Sequence, residues 1–152
     1  MSIEERLQRL EDAWEITQLI ASYGPLVDAG EAVRVADLWT EDGVYDAGEL
    51  FMGSRAEIDE MVRSDAHQGL IGSGCSHFLG PAQVSVDGDR AVAVCESVLL
   101  VRHHGKVLPA RIGANHFELV RTPDGWRTTR RTTRGLDGSA DARELLARTG
   151  VL

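Results

Sequence analysis

Apolar positions recur at helical spacing through the first thirty residues and switch to strict alternation after Cys75. Leu7, Leu10, Trp14 and Leu19 or Ile20, with Glu and Arg between them, predict a long amphipathic helix. Its end is expected near Asp28–Ala29–Gly30, with Gly30 as the capping glycine. Pro25 removes one backbone donor and predicts a bend or an early ending near Tyr23. A short helix from Glu31 to Trp39 and a turn at Thr40–Gly43 lead into a short strand near Val44–Tyr45–Asp46. Ser54-x-x-Glu57 is a capping-box pattern that opens a third helix through about Ala66, and Gly69 to Gly74 reads as a glycine-rich loop. That loop has no preceding strand or following helix, so a phosphate-binding reading fails on context.

The alternating half predicts strands near Cys75–Leu79, Ala82–Val86, Arg90–His103, Val107–Arg121 and Trp126–Arg134. Tight turns at Asp87–Gly88, His104–Gly105–Lys106 and Pro123–Asp124–Gly125 join them into one curved antiparallel or mixed sheet. Ser139 to Arg148 reads as a C-terminal helix ending at Gly150. Helices first and a meander after predict an α+β fold, with the N-terminal helices packed over the concave face of the sheet. The 152 residues suit one domain, with a core over about 3–135 and the last helix over about 139–149.

Parity along the strands selects the polar residues of interest. One face of the strand from Arg90 reads Val92, Val94, Glu96, Val98, Leu100, Arg102, which sets a carboxylate in an apolar row. Such a charge is expected to pair with an arginine on a neighbouring strand. The opposite row, Ala91, Ala93, Cys95, Ser97, Leu99 and Val101, is expected to face outward, suiting a homodimer or higher homo-oligomer formed through the sheet. On the next strand Arg111, Gly113, Asn115, Phe117 and Leu119 share a face, and on the last Trp126, Thr128, Arg130 and Thr132 do. A concave face with Asn115 and Arg130 among apolar residues would make a cavity for a small hydrophobic ligand. His77 starts the sheet and is the histidine best placed for chemistry. His103 and His104 flank a hairpin tip, His116 should face away from the cavity, and His67 has no evident partner.

Charge narrows the function classes. The net charge is −8, with −11 over residues 1–70 and +3 over 71–152, and this disfavours nucleic acid as partner. No apolar run approaches the ~20 residues of a membrane span, and the N-terminus carries no signal-peptide pattern. Cys75 and Cys95 are too few for a disulfide framework and lack zinc spacing, so a reduced cytoplasmic setting without metal or cofactor is expected.

Tyr-x4-Asp at the end of the first helix, Ser76–His77–Phe78–Leu79–Gly80 at the start of the sheet and the element order resemble the nuclear transport factor 2-like superfamily. Within it the chain is most similar to the SnoaL-like branch, which includes scytalone dehydratase, bile acid 7α-dehydratase and hexachlorocyclohexane dehydrochlorinase. The resemblance covers about residues 3–135 and implies a cone fold with one pocket. It makes Asp28 the acidic residue that orients His77, and Tyr23 the tyrosine of the bile acid enzyme. Asn115 matches the cavity asparagine of scytalone dehydratase, and Arg130 the cavity arginine of the dehydrochlorinase. The second histidine of scytalone dehydratase falls on Arg102, next to His103, and its substrate-holding tyrosine falls near Ala47, with Tyr45 close by. Substrate binding is therefore expected from Asn115, Arg102, Arg130, Tyr45 and Glu96.

A carboxylate that accepts the proton of one imidazole nitrogen fixes the tautomer and raises the basicity of the other. The pair Asp28–His77, with Tyr23 as acid, thus suits a cofactor-independent lyase or isomerase acting on a cyclic, carbonyl-bearing molecule, dehydration first. Polyketide-cyclase-like aldol ring closure uses the same acid and base, and a non-catalytic binding or dimerisation module is the reading from another class.

Overall fold

The structure is a computed structural model and describes residues 1–152. Helix α1 (Ile3–Asp28) begins with a complete capping box, in which the Ser2 hydroxyl accepts from Glu5 N–H and the Glu5 carboxylate accepts from Ser2 N–H. It continues through Pro25 to Asp28, past the early ending expected near Tyr23. Tyr23, Gly24 and Val27 are buried around the proline, and their burial outweighs the one bond it removes. Ala29 caps the helix and Gly30 follows at φ +73°, where glycine was expected.

Short helix α2 (Ala32–Ala36) leads to β1 (Trp39–Asp46), and β2 (Phe51–Met52), absent from the sequence reading, pairs with its end. The Ser54 cap opens α3 (Arg55–Arg63), and Ser64 caps a further helix, α4 (Asp65–Ser73). The stretch read as a glycine-rich loop is therefore mostly helix. The Ser64 hydroxyl accepting from His67 N–H is the signal that sets it, and Gly74 at φ +101° ends it.

Strands β3 (Cys75–Leu79), β4 (Gln83–Asp87), β5 (Arg90–His103), β6 (Lys106–Thr122) and β7 (Gly125–Gly135) follow, and α5 (Ala140–Ala147) closes the chain. The sheet order is β2-β1-β7-β6-β5-β3, with β4 also on β5; β1 and β7 pair parallel and every other pair is antiparallel. The protein is thus an α+β fold with a mixed sheet.

The inner face of the sheet carries the core. Ile16 and Ile20 of α1 pack on Ala91, Ala93, Cys95, Phe117, Leu119 and Trp126, while Tyr23, Val27, Trp39, Tyr45, Met52, Ile58 and Val62 form a second cluster. This reverses the parity expected for β5. The row of small residues, Ala91, Ala93 and Cys95, lies beneath α1, where a helix approaches closely only over small side chains, so it offers no outward interface. The Val92 row faces outward, and it takes Glu96 and Arg102 with it: both are solvent-exposed, and Glu96 needs no arginine. Part of that outer face is covered by α5 through Ala114, Ala142 and Leu145.

Parity also shifts in β7. Glu118 pairs with Arg130 but Leu119 with Thr128, so Thr129 is an extra residue, a bulge. Beyond it the inward residues are Arg131 and Thr133, whereas Arg130 turns outward and joins Arg134 on the Asp46 carboxylate at 2.9 Å.

Asp12 ties α1 to the β6–β7 hairpin. Its buried carboxylate accepts from Arg121 Nη1 and Nη2 at 2.7 and 2.9 Å and from Trp126 Nε1 at 3.0 Å, and the Arg121 guanidinium lies 4.7 Å over the Trp126 ring. The hydrogen bonds from Arg121, with a smaller contribution from Trp126, hold its pKa down at about 2 against the cost of burial. A depressed carboxylate stabilises the fold fully above its unfolded value of 3.8 and loses that contribution as pH falls through about 2. Asp12→Ala, which leaves Arg121 half-paired and Trp126 without an acceptor, is expected to cost about 3 kcal/mol in urea unfolding at pH 7. The difference from wild type should shrink below pH 3.8.

Candidate active site

The C-terminal turn of α1 lies against β3 because residue 24 is glycine. A Cβ there would collide with the His77 carbonyl oxygen, so any other residue would push helix and strand apart. The approach sets the Asp28 carboxylate on His77 twice: Nδ1–H donates to Oδ1 at 2.6 Å and the backbone N–H to Oδ2 at 2.8 Å. Cys75 Sγ–H donates to the same Oδ1 at 3.4 Å. His77 therefore carries its proton on Nδ1, and Nε2, on the opposite edge of the ring, makes no bond to the protein. Burial lowers the His77 pKa below its ordinary 6.5, with Asp28 opposing this. The imidazole is neutral at pH 7, with a free basic nitrogen.

That ring lines a cavity of about 460 Å³. Leu50, Met61, Leu70, Leu99 and the alanines 47, 66 and 110 make its walls apolar, and Tyr23, Tyr45, His67 and Arg111 are the groups that can orient a ligand. Tyr23 meets His77 edge to face at 6.4 Å between ring centres and stacks on Tyr45 at 6.1 Å. Burial, chiefly, with Tyr45 beside it, raises the Tyr23 pKa well above the ordinary phenol range, so its hydroxyl stays protonated. His67 Nε2–H donates to the Val27 carbonyl at 2.8 Å, and its ring sits 5.9 Å from that of His77.

Behind the tyrosines lies a buried cation with no carboxylate partner. The Arg131 guanidinium stands 4.3, 4.6 and 5.2 Å over the rings of Tyr23, Tyr45 and Phe117. Its Nε and Nη2 donate to Asn115 Oδ1 at 3.2 and 2.8 Å, Thr133 Oγ1–H adds a third bond to that oxygen at 2.7 Å, and Nη1 has no partner. Asn115 Nδ2 donates to Ser97 Oγ at 2.9 Å. The asparagine expected to hold substrate is thus fully bonded within the protein and positions Arg131 instead.

The structure brings together Tyr23, Asp28, Tyr45 and His77 as expected, and places Asn115 one layer below them. Arg102, Arg130 and Glu96 lie on the outer face, away from the cavity. Arg131, Arg111 and His67 were missed as site residues. Arg111 was on the right face without a role, His67 was hidden by the misread loop, and Arg131 was displaced by a bulge that leaves no mark in the alternation.

The donor atoms of Asp28, Cys75 and His77 lie within 4.8 Å of one another, the set a metal ion would use. They are engaged with each other, however, since two protons converge on one carboxylate oxygen, and burial together with Asp28 raises the Cys75 thiol to about 11. A metal would have to displace both protons.

The profile of the SnoaL-like domain matches residues 8–132. The chain belongs to the SnoaL-like family. Members of this family are commonly isomerases, dehydratases or cyclases. Among solved structures, the SnoaL-like chain is similar to a nuclear transport factor 2-like protein with a cystatin-like fold from Novosphingobium aromaticivorans. The two are 46% identical with a TM-score of 0.92, over 95% of this chain and 94% of that one. A scytalone dehydratase-like protein from the same organism shares the fold at 16% identity and TM-score 0.67, over 88% of each chain. A nuclear transport factor 2-like protein from Salmonella enterica shares it at 18% identity and TM-score 0.67, over 84% of this chain and 92% of that one. A search of curated proteins finds no match. No helix is long and apolar enough to cross a membrane.

The dyad can be tested without a substrate. In wild-type protein the His77 ring signals should titrate below pH 6.5 by NMR, and Asp28→Asn, which removes the group holding that value up, should move the midpoint lower still. Because the folded value is depressed, neutral His77 favours the fold above 6.5 and that contribution is lost as pH falls through the midpoint. An unchanged midpoint in the Asn variant would show the two side chains uncoupled in solution.

Proposed function

We propose that the cavity binds a small cyclic molecule bearing a carbonyl group and that His77 removes a proton from the carbon beside that carbonyl, with loss of water as the reaction. The observation that carries this reading is the single free nitrogen of a neutral, Asp28-bound imidazole at the wall of an apolar cavity, next to the protonated hydroxyl of Tyr23.

In the proposed step, His77 Nε2 takes the proton and the C–H electrons pass toward the carbonyl, giving an enolate. The enolate then expels a β-hydroxyl, to which Tyr23 supplies a proton, so that a carbon–carbon double bond and water are formed. The imidazolium proton returning to the Tyr23 phenolate restores both residues. Arg131 behind the aromatic rings favours negative charge on this side of the cavity throughout, without touching the substrate. Arg111, which lines the cavity and is solvent-exposed, is the cation able to reach a carbonyl or carboxylate on the ligand. Aldol ring closure would begin with the same proton removal and differ only in the electrophile the enolate meets.

His77→Ala and Asp28→Asn are each expected to lower turnover by about 10²–10⁴-fold on a β-hydroxy ketone substrate, with ligand affinity within a few-fold of wild type. Turnover should also fall with pH through a midpoint below 6.5 as His77 becomes charged. Supplying β-hydroxy ketones and poly-β-keto esters side by side distinguishes dehydration from cyclisation by product. Unchanged turnover in both variants would remove the mechanism.

A further inference from the structure

The apolar stripe that signals the first helix does not face the core. Residues 1–11 are all solvent-exposed; Glu5, Gln8 and Arg9 share an open cleft with the turn at Asp87–Asp89, and the stripe lies on the other side of the helix. Ile3, Leu7, Leu10 and Trp14 are 76, 53, 69 and 66% exposed. The buried residues of α1 are Asp12, Ile16, Ile20, Tyr23, Gly24 and Val27. At about 100° per residue, the stripe lies roughly 140° around the helix from that buried face. A helical segment with no buried residue is marginal in water, and neither its cap nor its propensity accounts for four large apolar side chains on one line.

The spacing of the stripe is four, three, four, which is that of a coiled-coil seam, with Ile3 and Leu10 at d and Leu7 and Trp14 at a. In this frame Arg6 is a g position and Glu11 the e position of the following heptad. A parallel pair of identical helices sets each g residue beside the next e residue of the other helix, so Arg6 meets Glu11 of the second copy on both sides of the seam. An antiparallel pair instead brings e to e, which places Glu4 against Glu11. Because the stripe points away from the body, two bodies would lie on the outside of such a pair without collision.

We propose that α1 is an assembly arm that pairs in parallel with α1 of a second copy of this chain through Ile3, Leu7, Leu10 and Trp14. The surface is distinct from the sheet face and leaves the cavity open. The seam holds two a and two d layers only, so the association is concentration-dependent.

Sedimentation velocity of the full chain over a concentration series tests it, with far-UV circular dichroism to confirm folding. Leu10→Glu is expected to raise the concentration of half-association at least tenfold. Arg6→Glu and Glu11→Arg should each weaken association several-fold, and the double variant Arg6→Glu/Glu11→Arg should restore it. These positions are exposed, so the variants fold. A wild-type chain that stays monomeric at the highest concentration, or an oligomer that survives Leu10→Glu and dissociates only with Phe78→Asp on the outer sheet face, would overturn the proposal. Failure of the double variant to restore association would overturn the parallel register.

Discussion

The contact between α1 and β3 at Gly24 is the constraint on which the rest of the site depends. It is a steric condition, the absence of one carbon atom, yet it decides an electrostatic outcome one helical turn away, at Asp28. Only because the helix backbone lies directly on the strand does the Asp28 carboxylate reach both the backbone and the ring of His77. The two bonds fix the position and the tautomer of the imidazole together, so His77 presents one basic edge to the cavity in one orientation. Pro25 belongs to the same arrangement. It lies within the buried turn, where the packing of Tyr23 and Val27 keeps the helix intact until Asp28 is delivered.

The second determinant is the charge beneath the cavity. Arg131 is buried and without a carboxylate; its compensation comes from three aromatic faces and one amide oxygen. Cation–π contacts leave the positive field largely unneutralised, in contrast to the Asp12–Arg121 pair midway along α1, where charge is cancelled locally. The middle of α1 is thus held by a closed ion pair, while its C-terminal turns lie beside a cation that no carboxylate neutralises. The acidic balance of the chain as a whole, −8, gives no hint of this, because the field inside the cavity is set by Arg131, Arg111 and the Asp28–His77 pair rather than by the solvated surface.

Much of this was legible in the sequence. The alternation after Cys75 gave β3 and β5 to the residue and β4, β6 and β7 within one residue at each end, because half-buried strands bounded by glycine turns carry a strong period-two signal. Ahead of it β1 was read only over Val44–Asp46, its first residues being taken for helix and turn, and β2 not at all. The pairing of Asp28 with His77 was legible through the resemblance of two short motifs. What failed was facing. Both rows of β5 are apolar, so alternation identified a strand but not which row lies under the helix, and Glu96 and Arg102 were assigned inward when they face solvent. The outward stripe of α1 has the same limit, since periodicity reports an apolar face but not what covers it. The short helix α4 was missed because Gly69 and Gly72 disfavour helix locally, while Ser64 as its cap and the burial of His67 sustain it.

The bulge at Thr129 has a consequence for how such a cavity can vary. Residues 128–134 read Thr-Thr-Arg-Arg-Thr-Thr-Arg, a run of doublets. Read with the bulge, the inward residues of β7 are Trp126, Thr128, Arg131 and Thr133; read without it they would be Trp126, Thr128, Arg130 and Thr132. Both readings spell tryptophan, threonine, arginine, threonine. The strand is therefore written in a redundant code, in which gaining or losing one residue changes the numbering of the interior but not its chemistry.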